Sequence, residues 1–123
     1  MLCSVGIDLV SASEVRESLD THGERYRMRI YTEHELRQCG DDELALAACF
    51  AAKEAAMKAL GRDDEELPWR EVALTSRDDG GLALKLTGAA ADLAKQRGVA
   101  ELSVSVSRAR AHASAVVLAR LER

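Results

Sequence analysis

The N-terminal segment, residues 2–10, is apolar except at Ser4, Gly6 and Asp8. Its run of aliphatic and β-branched residues predicts a strand rather than a helix. Asp8 is then expected to lie inside this strand or at its end. An ionised carboxylate between Ile7 and Leu9 is unfavourable in a strand unless a cation or hydrogen-bond donors neutralise it.

Two short helices are predicted before residue 41. Polar residues with helical spacing begin at Ser13, a suitable N-cap, and Gly23 follows as a stop signal. Thr32 and Glu35 have the spacing of a capping box, in which each side chain bonds the backbone of the other residue. The second helix therefore begins after Thr32 and is expected to end near Gly40.

The strongest helix prediction covers residues 42–60, which are rich in Ala, Leu and Met and contain no β-branched residue. Gly61 follows as a stop signal. Most of the surface of this helix is apolar, and such a helix belongs inside a structure. Its charged residues Lys53, Glu54 and Lys58 are therefore conspicuous.

The C-terminal half predicts two hairpins with a helix between them. Asp79-Gly80-Gly81 supplies the positive φ angles that the first hairpin turn requires, and Gly98 caps the helix. The segments are a charged loop at 62–66, a turn at 68–69, strands at 71–76 and 82–87, a helix at 88–97, and strands at 102–106 and 113–118 joined across 108–112. This order of elements predicts an α+β fold with a mainly antiparallel sheet.

Composition indicates the number of domains and the cellular compartment. The chain has 123 residues, 47% of them hydrophobic, so one domain over residues 1–123 is expected. Few aromatic residues are available for its core, and association with further copies of the chain would add stability. Cys3, Cys39 and Cys49 form neither an even set nor a C-x-x-C pair, so reduced, buried thiols are expected. With no secretory signal pattern and no apolar run long enough to span a bilayer, we expect a soluble cytoplasmic protein.

The net charge of −4 argues against a nucleic-acid partner, because affinity for the phosphate backbone comes from accumulated Lys and Arg. A local basic cluster nevertheless stands out at Arg25, Arg27 and Arg29, with Arg16 upstream. It can be a solvated basic face or a docking patch for an acidic partner.

Two interpretations stay open for the charged residues of the long helix. Glu54 and Lys58 are four residues apart in the order that favours a helix-stabilising ion pair. Alternatively, Glu54 and Asp8 provide the one or two carboxylates that a Mg²⁺ site commonly takes from protein, with waters and substrate phosphates as the other ligands.

Other chemistry has weaker support. The three histidines lack metal-ligand spacing with one another or with the cysteines, so a zinc site is not expected. No Gly-rich nucleotide loop and no G-x-S-x-G motif is present. Ser103 and Ser105 are expected on the exposed face of a strand, while Ser107 beside the basic hairpin stays undecided.

Two segments together resemble the paired motifs of the holo-acyl-carrier-protein synthases, the small phosphopantetheinyl transferases. The motifs are Gly6-Ile7-Asp8-Leu9-Val10 and Phe50-Ala51-Ala52-Lys53-Glu54-Ala55-Ala56-Met57-Lys58-Ala59-Leu60-Gly61. The likeness continues through residues 29–36, the turn at 79–81 and the strand at 103–107, and so covers nearly the whole chain.

The resemblance implies a 4′-phosphopantetheinyl transferase-like fold that moves phosphopantetheine from coenzyme A to a serine of an apo acyl carrier protein, releasing adenosine 3′,5′-bisphosphate. Asp8 and Glu54 match the metal ligands of the family, and Glu54 and Lys58 its catalytic residues. The base for the serine is either Glu54 or a water on the metal. The residues implied in binding coenzyme A are Lys53, Lys58, Gly61, Ser107 and Arg108.

The resemblance also implies a homotrimer with its sites at subunit interfaces, and it gives Arg16, Arg25, Arg27 and Arg29 the role of binding an acidic carrier protein. The pathway of that carrier stays open. The chain departs from the family at Cys49, where relatives have an arginine, at Gly61-Arg62-Asp63, where they have Gly-Thr-Gly, at Arg108, where they have a histidine, and at Glu14, where many have an arginine. A non-catalytic trimer that binds carrier protein and an unrelated α+β protein are the alternatives.

Overall fold

The computed structural model describes residues 2–61 and 67–122. The predicted charged loop, with Arg62 and Asp63, lies outside the described residues. The helices are α1 (Ala12–His22), α2 (Glu24–Ile30), α3 (Glu33–Cys39), α4 (Glu43–Ala59) and α5 (Gly88–Gln96). The strands are β1 (Leu2–Ser11), β2 (Val72–Ser76), β3 (Leu82–Leu86), β4 (Val99–Ala109) and β5 (His112–Leu121), and a 3₁₀ turn spans Trp69–Glu71.

The strands form two antiparallel sheets. β1, β5 and β4 make a three-stranded sheet in that order, and β2 pairs with β3 in a separate hairpin. α4 packs on one face of the larger sheet, against β1 and β5. The predicted α+β fold with a mainly antiparallel sheet and a long apolar helix is therefore confirmed. Within the described residues, no helix is both long and apolar enough to cross a membrane.

Several local features differ from the prediction. α1 begins earlier than expected, because the hydroxyl of Ser11 rather than Ser13 accepts the capping bond, from the backbone N–H of Glu14 at 3.1 Å. α2, which carries the arginine cluster, was not predicted. In the first hairpin only Gly80 has a positive φ, of 87°. The second hairpin turns more tightly than expected, at Arg110 with φ 57°.

The capping signals of α3 and α4 are confirmed. Thr32 accepts from the N–H of Glu35, and Glu35 accepts from the N–H of Thr32, which completes the capping box. Asp42 accepts from the N–H groups of Leu44 and Ala45 at the start of α4. Since each cap satisfies backbone donors that have no partner inside the helix, the sequence determines both starting points locally.

β1 lies directly on the backbone of α4. A Cβ added at Gly6 would overlap the carbonyl oxygen of Ala55 and would lie 2.8 Å from the backbone nitrogen of Ala59. Ala51, Ala52, Ala55, Ala56 and Ala59 are all buried, and Ala55 and Ala59 present only methyl groups where Gly6 of β1 meets the helix. This close approach requires a glycine in β1 and alanines in α4.

A buried ion pair joins α3, α4 and β2. Lys53 is fully buried, and its Nζ donates to Glu35 Oε1 at 2.6 Å. The same oxygen accepts from the N–H of Thr32 at 2.8 Å, and Oε2 accepts from the N–H of Leu74 at 2.7 Å. Glu35 thus has three donors, which offset the cost of removing its charge from water.

On the other face of the larger sheet, β1 and β5 expose apolar side chains, whereas β4 exposes serines. Leu9, Ile7 and Val5 of β1 are 63%, 60% and 52% exposed, and Val116 and Leu118 of β5 are 42% and 39% exposed. In register, Ile7 pairs with Val116 and Val5 with Leu118, so these side chains form one continuous patch. We call these five residues the outer patch.

We expect Gly6→Ala to lower the free energy of unfolding by about 2–4 kcal/mol, because the new methyl forces β1 away from α4. Urea unfolding at fixed protein concentration measures this change. Gly81→Ala is the matched control, since its Cβ would meet only the flexible side chains of Asp79 and Arg77. Equal stability of the two variants would contradict the close approach.

Lys53→Met should lower the free energy of unfolding by about 3–5 kcal/mol, because it leaves the Glu35 carboxylate buried without a cation. Lys58→Met, on the same helix but with a 55% exposed side chain, should cost at most about 1 kcal/mol. Differential scanning calorimetry of both variants tests this contrast. A loss at position 58 as large as that at position 53 would refute it.

Candidate active site

Asp8 lies inside β1, as predicted, opposite Ala115 of β5. Side chains alternate along a strand, so Asp8 points to the same face as Gly6 and Val10, toward α4. Its side chain is only 13% exposed. The contact at Gly6 therefore brings this carboxylate against the helix.

Lys58 pairs with Asp8 rather than bracing its own helix. Its Nζ donates to Asp8 Oδ1 at 3.1 Å and to the backbone oxygen of Ile7 at 3.1 Å. The lysine side chain remains 55% exposed. The ammonium group is thus held at the site with surface left to meet a further anion.

Glu54, one turn before Lys58, lies against the same carboxylate. Burial raises the pKa of the Glu54 carboxyl to about 7, aided by its hydrogen bond to Asp8 and the negative charge there. Lys58 acts in the opposite direction, and the charge of Glu14 on α1 adds a smaller upward effect. Two carboxyl groups can share such a hydrogen bond only when one of them carries a proton.

One carboxylate oxygen of Asp8 lacks a hydrogen-bond partner in the part of the chain that the structure describes. Asp8 Oδ2 is buried and, when Glu54 carries no proton, has no hydrogen-bond donor among the described residues. Buried carboxylate oxygens normally have a donor or a cation. Among the described residues no group of three or more His, Cys, Asp or Glu side chains could hold a metal ion. Asp8 and Glu54 still fit a hard divalent cation that takes its remaining ligands from water and substrate.

Two other residues predicted for the site, Lys53 in α4 and Gly61 after its end, have different surroundings. Lys53 is not brought to Asp8, because its ammonium group is buried against Glu35. Gly61 follows the helix with φ 77°, and the guanidinium of Arg97 covers it, with Cζ 3.2 Å from where a Cβ would stand. The backbone of Gly61, about one turn after Lys58, thus lies next to the guanidinium of Arg97, a residue that was not predicted from the sequence.

Arg108 and Cys49, both departures from the family pattern, line one pocket of about 240 Å³. His34 and Thr75 are also in its wall, and neither Asp8 nor Glu54 is. Within one protomer the two parts of the predicted site are therefore separate. Ser103, Ser105 and Ser107 are all exposed along β4, which confirms the prediction for the first two.

The arginines of the cluster differ in exposure: Arg16, Arg25 and Arg29 are exposed, and Arg27 is partly buried. Arg16 bonds Glu43 and also contacts Asp20 at 3.3 Å. Arg27, with an 18% exposed side chain, lies between Glu24 at 3.5 Å and Asp41 at 3.7 Å. Arg25 and Arg29 line a groove on α2 together with His22, Tyr26 and Ile30.

Known proteins match this chain over nearly its full length. The sequence profile of the 4′-phosphopantetheinyl transferase superfamily matches residues 4–117. The holo-[acyl-carrier-protein] synthase of Halorhodospira halophila is 37% identical over 122 residues, which cover 96% of this chain and 97% of the relative. The corresponding protein of Desulforudis audaxviator is 37% identical over 110 residues, 87% of this chain and 84% of the relative.

The fold agrees with a solved structure as well. The crystal structure of Helicobacter pylori holo-[acyl-carrier-protein] synthase in complex with coenzyme A superimposes with a TM-score of 0.83 at 25% identity. The superposition covers 94% of this chain and 99% of that one. From the profile, the relatives and the fold together, this chain belongs to the holo-acyl-carrier-protein synthase family of the 4′-phosphopantetheinyl transferase superfamily.

Proposed function

We propose that this protein transfers 4′-phosphopantetheine from coenzyme A to a serine of an apo acyl carrier protein and releases adenosine 3′,5′-bisphosphate. The observation that carries the proposal is the cluster of Asp8, Glu54 and Lys58, in which a buried carboxylate oxygen has no donor among the described residues. The names of the relatives and the coenzyme A complex of the Helicobacter pylori protein support the same substrates.

In this proposal Asp8 and Glu54 hold Mg²⁺. When bound, Mg²⁺ supplies positive charge to the pyrophosphate oxygens and so stabilises the transition state of phosphoryl transfer. The chain contributes two carboxylates on two rigid elements. Because Glu54 has a pKa near 7 in the protein without metal, a proton competes with the cation for this carboxyl.

Lys58 provides a second cation for the substrate. Its ammonium is oriented by Asp8 Oδ1 and by the carbonyl of Ile7, and half of the side chain faces solvent. An anchored lysine in this position can neutralise a phosphate oxygen as the bridging bond breaks. The serine proton leaves through Glu54 or through water, and both routes remain open.

The nucleotide end of coenzyme A is assigned to the pocket that contains Arg108. Arg108 provides a permanent cation there, which offsets the arginine that relatives have in place of Cys49. Ser107 lies next to it in sequence, and Gly61 exposes backbone beside the C-terminal turn of α4. Lys53 acts in this scheme only by holding α3 on α4.

We also propose a homotrimer in which one protomer supplies Asp8 and Glu54 and its neighbour supplies the Arg108 pocket. The separation of these two groups within the protomer supports this arrangement. The outer patch supports it too, since an uncovered apolar surface of this kind is typical of an interface.

An acidic carrier protein is the proposed partner of the arginine cluster, because complementary charge steers such encounters. Arg25 and Arg29 present their charge at the surface of α2, with the 49% exposed Met28 between them. Arg16 and Arg27 support this surface through their ion pairs with acidic neighbours. The reaction is proposed for the cytoplasm, with no membrane or nucleic-acid partner.

Incubation with coenzyme A, Mg²⁺ and an apo carrier protein should add one phosphopantetheine group to the carrier, as measured by intact mass. Glu54→Gln should lower the rate about a thousandfold while the circular dichroism spectrum stays unchanged, because one metal ligand is lost. Asp92→Asn, on the exposed surface of α5, is the matched control and should retain full activity.

Calorimetry gives a second measurement that does not depend on turnover. Titration of Mg²⁺ into the protein with coenzyme A should give binding heat for the parent and none for Glu54→Gln. Retained activity and retained Mg²⁺ binding in this variant would exclude the proposed metal role. A folded parent that modifies no carrier would favour the alternative of a non-catalytic carrier-binding trimer.

Arg108→Ala should raise the KM for coenzyme A about tenfold with little change in kcat, because the lost cation contacts a part of the substrate that does not react. Steady-state kinetics with a saturating carrier protein measure both constants. Arg110→Asn, two residues away in the hairpin turn, removes a charge while tolerating the left-handed backbone there. An unchanged KM for Arg108→Ala would reject the assignment.

A further inference from the structure

Two cysteines meet in the wall of the Arg108 pocket. Cys39 is the last residue of α3 and Cys49 lies in the middle of α4, after the chain has reversed at Gly40 to Asp42. The helices that carry them pack together, and the two thiols are close enough to change each other's acidity. Both line the pocket of about 240 Å³, so a small molecule that enters the pocket reaches them together.

The two thiols differ in exposure and in acidity. Cys39 is partly exposed and Cys49 is buried. The interaction with Cys49 lowers the pKa of the Cys39 thiol and outweighs burial and the charge of Glu35, which raise it; the charge of Arg108 adds a smaller lowering effect. The interaction with Cys39, together with burial, raises the pKa of Cys49. Cys39 is therefore the thiol that ionises, and the thiolate is the reactive form.

We propose that Cys39 and Cys49 are a modification site at which a hydroperoxide closes an intramolecular disulfide. The Cys39 thiolate attacks one peroxide oxygen, the O–O bond breaks, and hydroxide leaves, so that Cys39 becomes a sulfenic acid. The Cys49 thiol then attacks the Cys39 sulfur and water leaves. In total, two thiols lose two electrons and two protons to hydrogen peroxide, which becomes two waters.

The geometry permits this closure and predicts its effect. Sulfur atoms in a disulfide are about 2 Å apart, and Cys39 and Cys49 lie on packed helices in the wall of one pocket, so movement of their side chains can bring the sulfurs together. The disulfide would link the end of α3 to α4 in the wall of the pocket that Arg108 also lines. If the pocket receives the nucleotide end of coenzyme A, as proposed above, oxidation should weaken binding of this substrate. This last step alone depends on the proposed function.

Peptide mapping tests the modification. A Cys3→Ser background leaves only the two thiols, and trypsin releases both in one peptide, residues 38–53, between Arg37 and Lys53. After brief treatment with hydrogen peroxide and alkylation under denaturing conditions, this peptide should be two hydrogens lighter than its reduced form and carry no alkyl group. Dithiothreitol should restore two alkylation sites.

Three controls separate the folded site from simple proximity in sequence. Adding Cys39→Ser or Cys49→Ser to the background should abolish the loss of two hydrogens. Disulfide formation should be about tenfold slower in urea at the same pH, where the Cys49 and Arg108 contacts are lost. An equal rate in urea would overturn the proposal. So would a native product in which Cys39 carries added oxygen atoms and Cys49 a free thiol.

Kinetics then test the consequence for the substrate. The oxidised protein should show a KM for coenzyme A raised about fivefold or more and reversed by dithiothreitol, whereas peroxide should not change the KM of the Cys39→Ser variant, which lacks the thiol that attacks peroxide. A disulfide that forms without this change would overturn the effect on coenzyme A and leave the modification site in place. Absence of any transferase activity before oxidation would refute the proposed function instead, since the peptide masses do not depend on it.

Discussion

The contact between the backbones of β1 and α4 at Gly6 controls where the acidic groups of the site lie. A strand and a helix normally pack through side chains, but here only hydrogen atoms and alanine methyl groups separate them. Asp8 stands two residues after Gly6 on the same face of the strand, and Glu54 and Lys58 flank Ala55 and Ala59 on the helix. Three charged side chains therefore meet because one glycine lets two backbones touch.

The two lysines of α4 differ in burial and therefore in role. Lys53 and Lys58 are five residues apart, yet the first has no exposed surface and the second is half exposed. Lys53 is held by a carboxylate that is itself held by two backbone donors, so its charge is committed to the fold. Lys58 has one oxygen of Asp8 and one carbonyl, and it keeps the capacity to meet a substrate anion.

Most of the fold could be predicted from local patterns. The capping box at Thr32, the cap at Asp42, the alanine-rich run of α4 and the alternation along β4 are all properties of neighbouring residues, and each appears in the structure. α2 was missed because its seven residues are too few and too charged to show helical periodicity. Its helical form depends on Ile30 and Tyr26 packing against the rest of the core.

The residues of the candidate site were easier to predict than the pairs that they form with one another. Asp8, Glu54 and Lys58 were recognisable as charges in apolar segments, but spacing alone favoured a pair between Glu54 and Lys58. Lys58 instead forms its ion pair with Asp8, which is 50 residues away in the sequence. The partners of Lys53 and Glu35, and of Cys39 and Cys49, likewise depend on how α3 crosses α4, which no local pattern encodes.

These pairings have a common electrostatic logic. Glu35 has Lys53 to itself, whereas Asp8 and Glu54 share Lys58, and Asp8 Oδ2 has no donor among the described residues when Glu54 carries no proton. Burial and, to a smaller extent, the neighbouring Asp8 carboxylate raise the pKa of Glu54. A fold selected for stability would remove one of the two acids. Their joint presence is the physical argument for the proposed site, in which a cation and a substrate phosphate would be the missing partners.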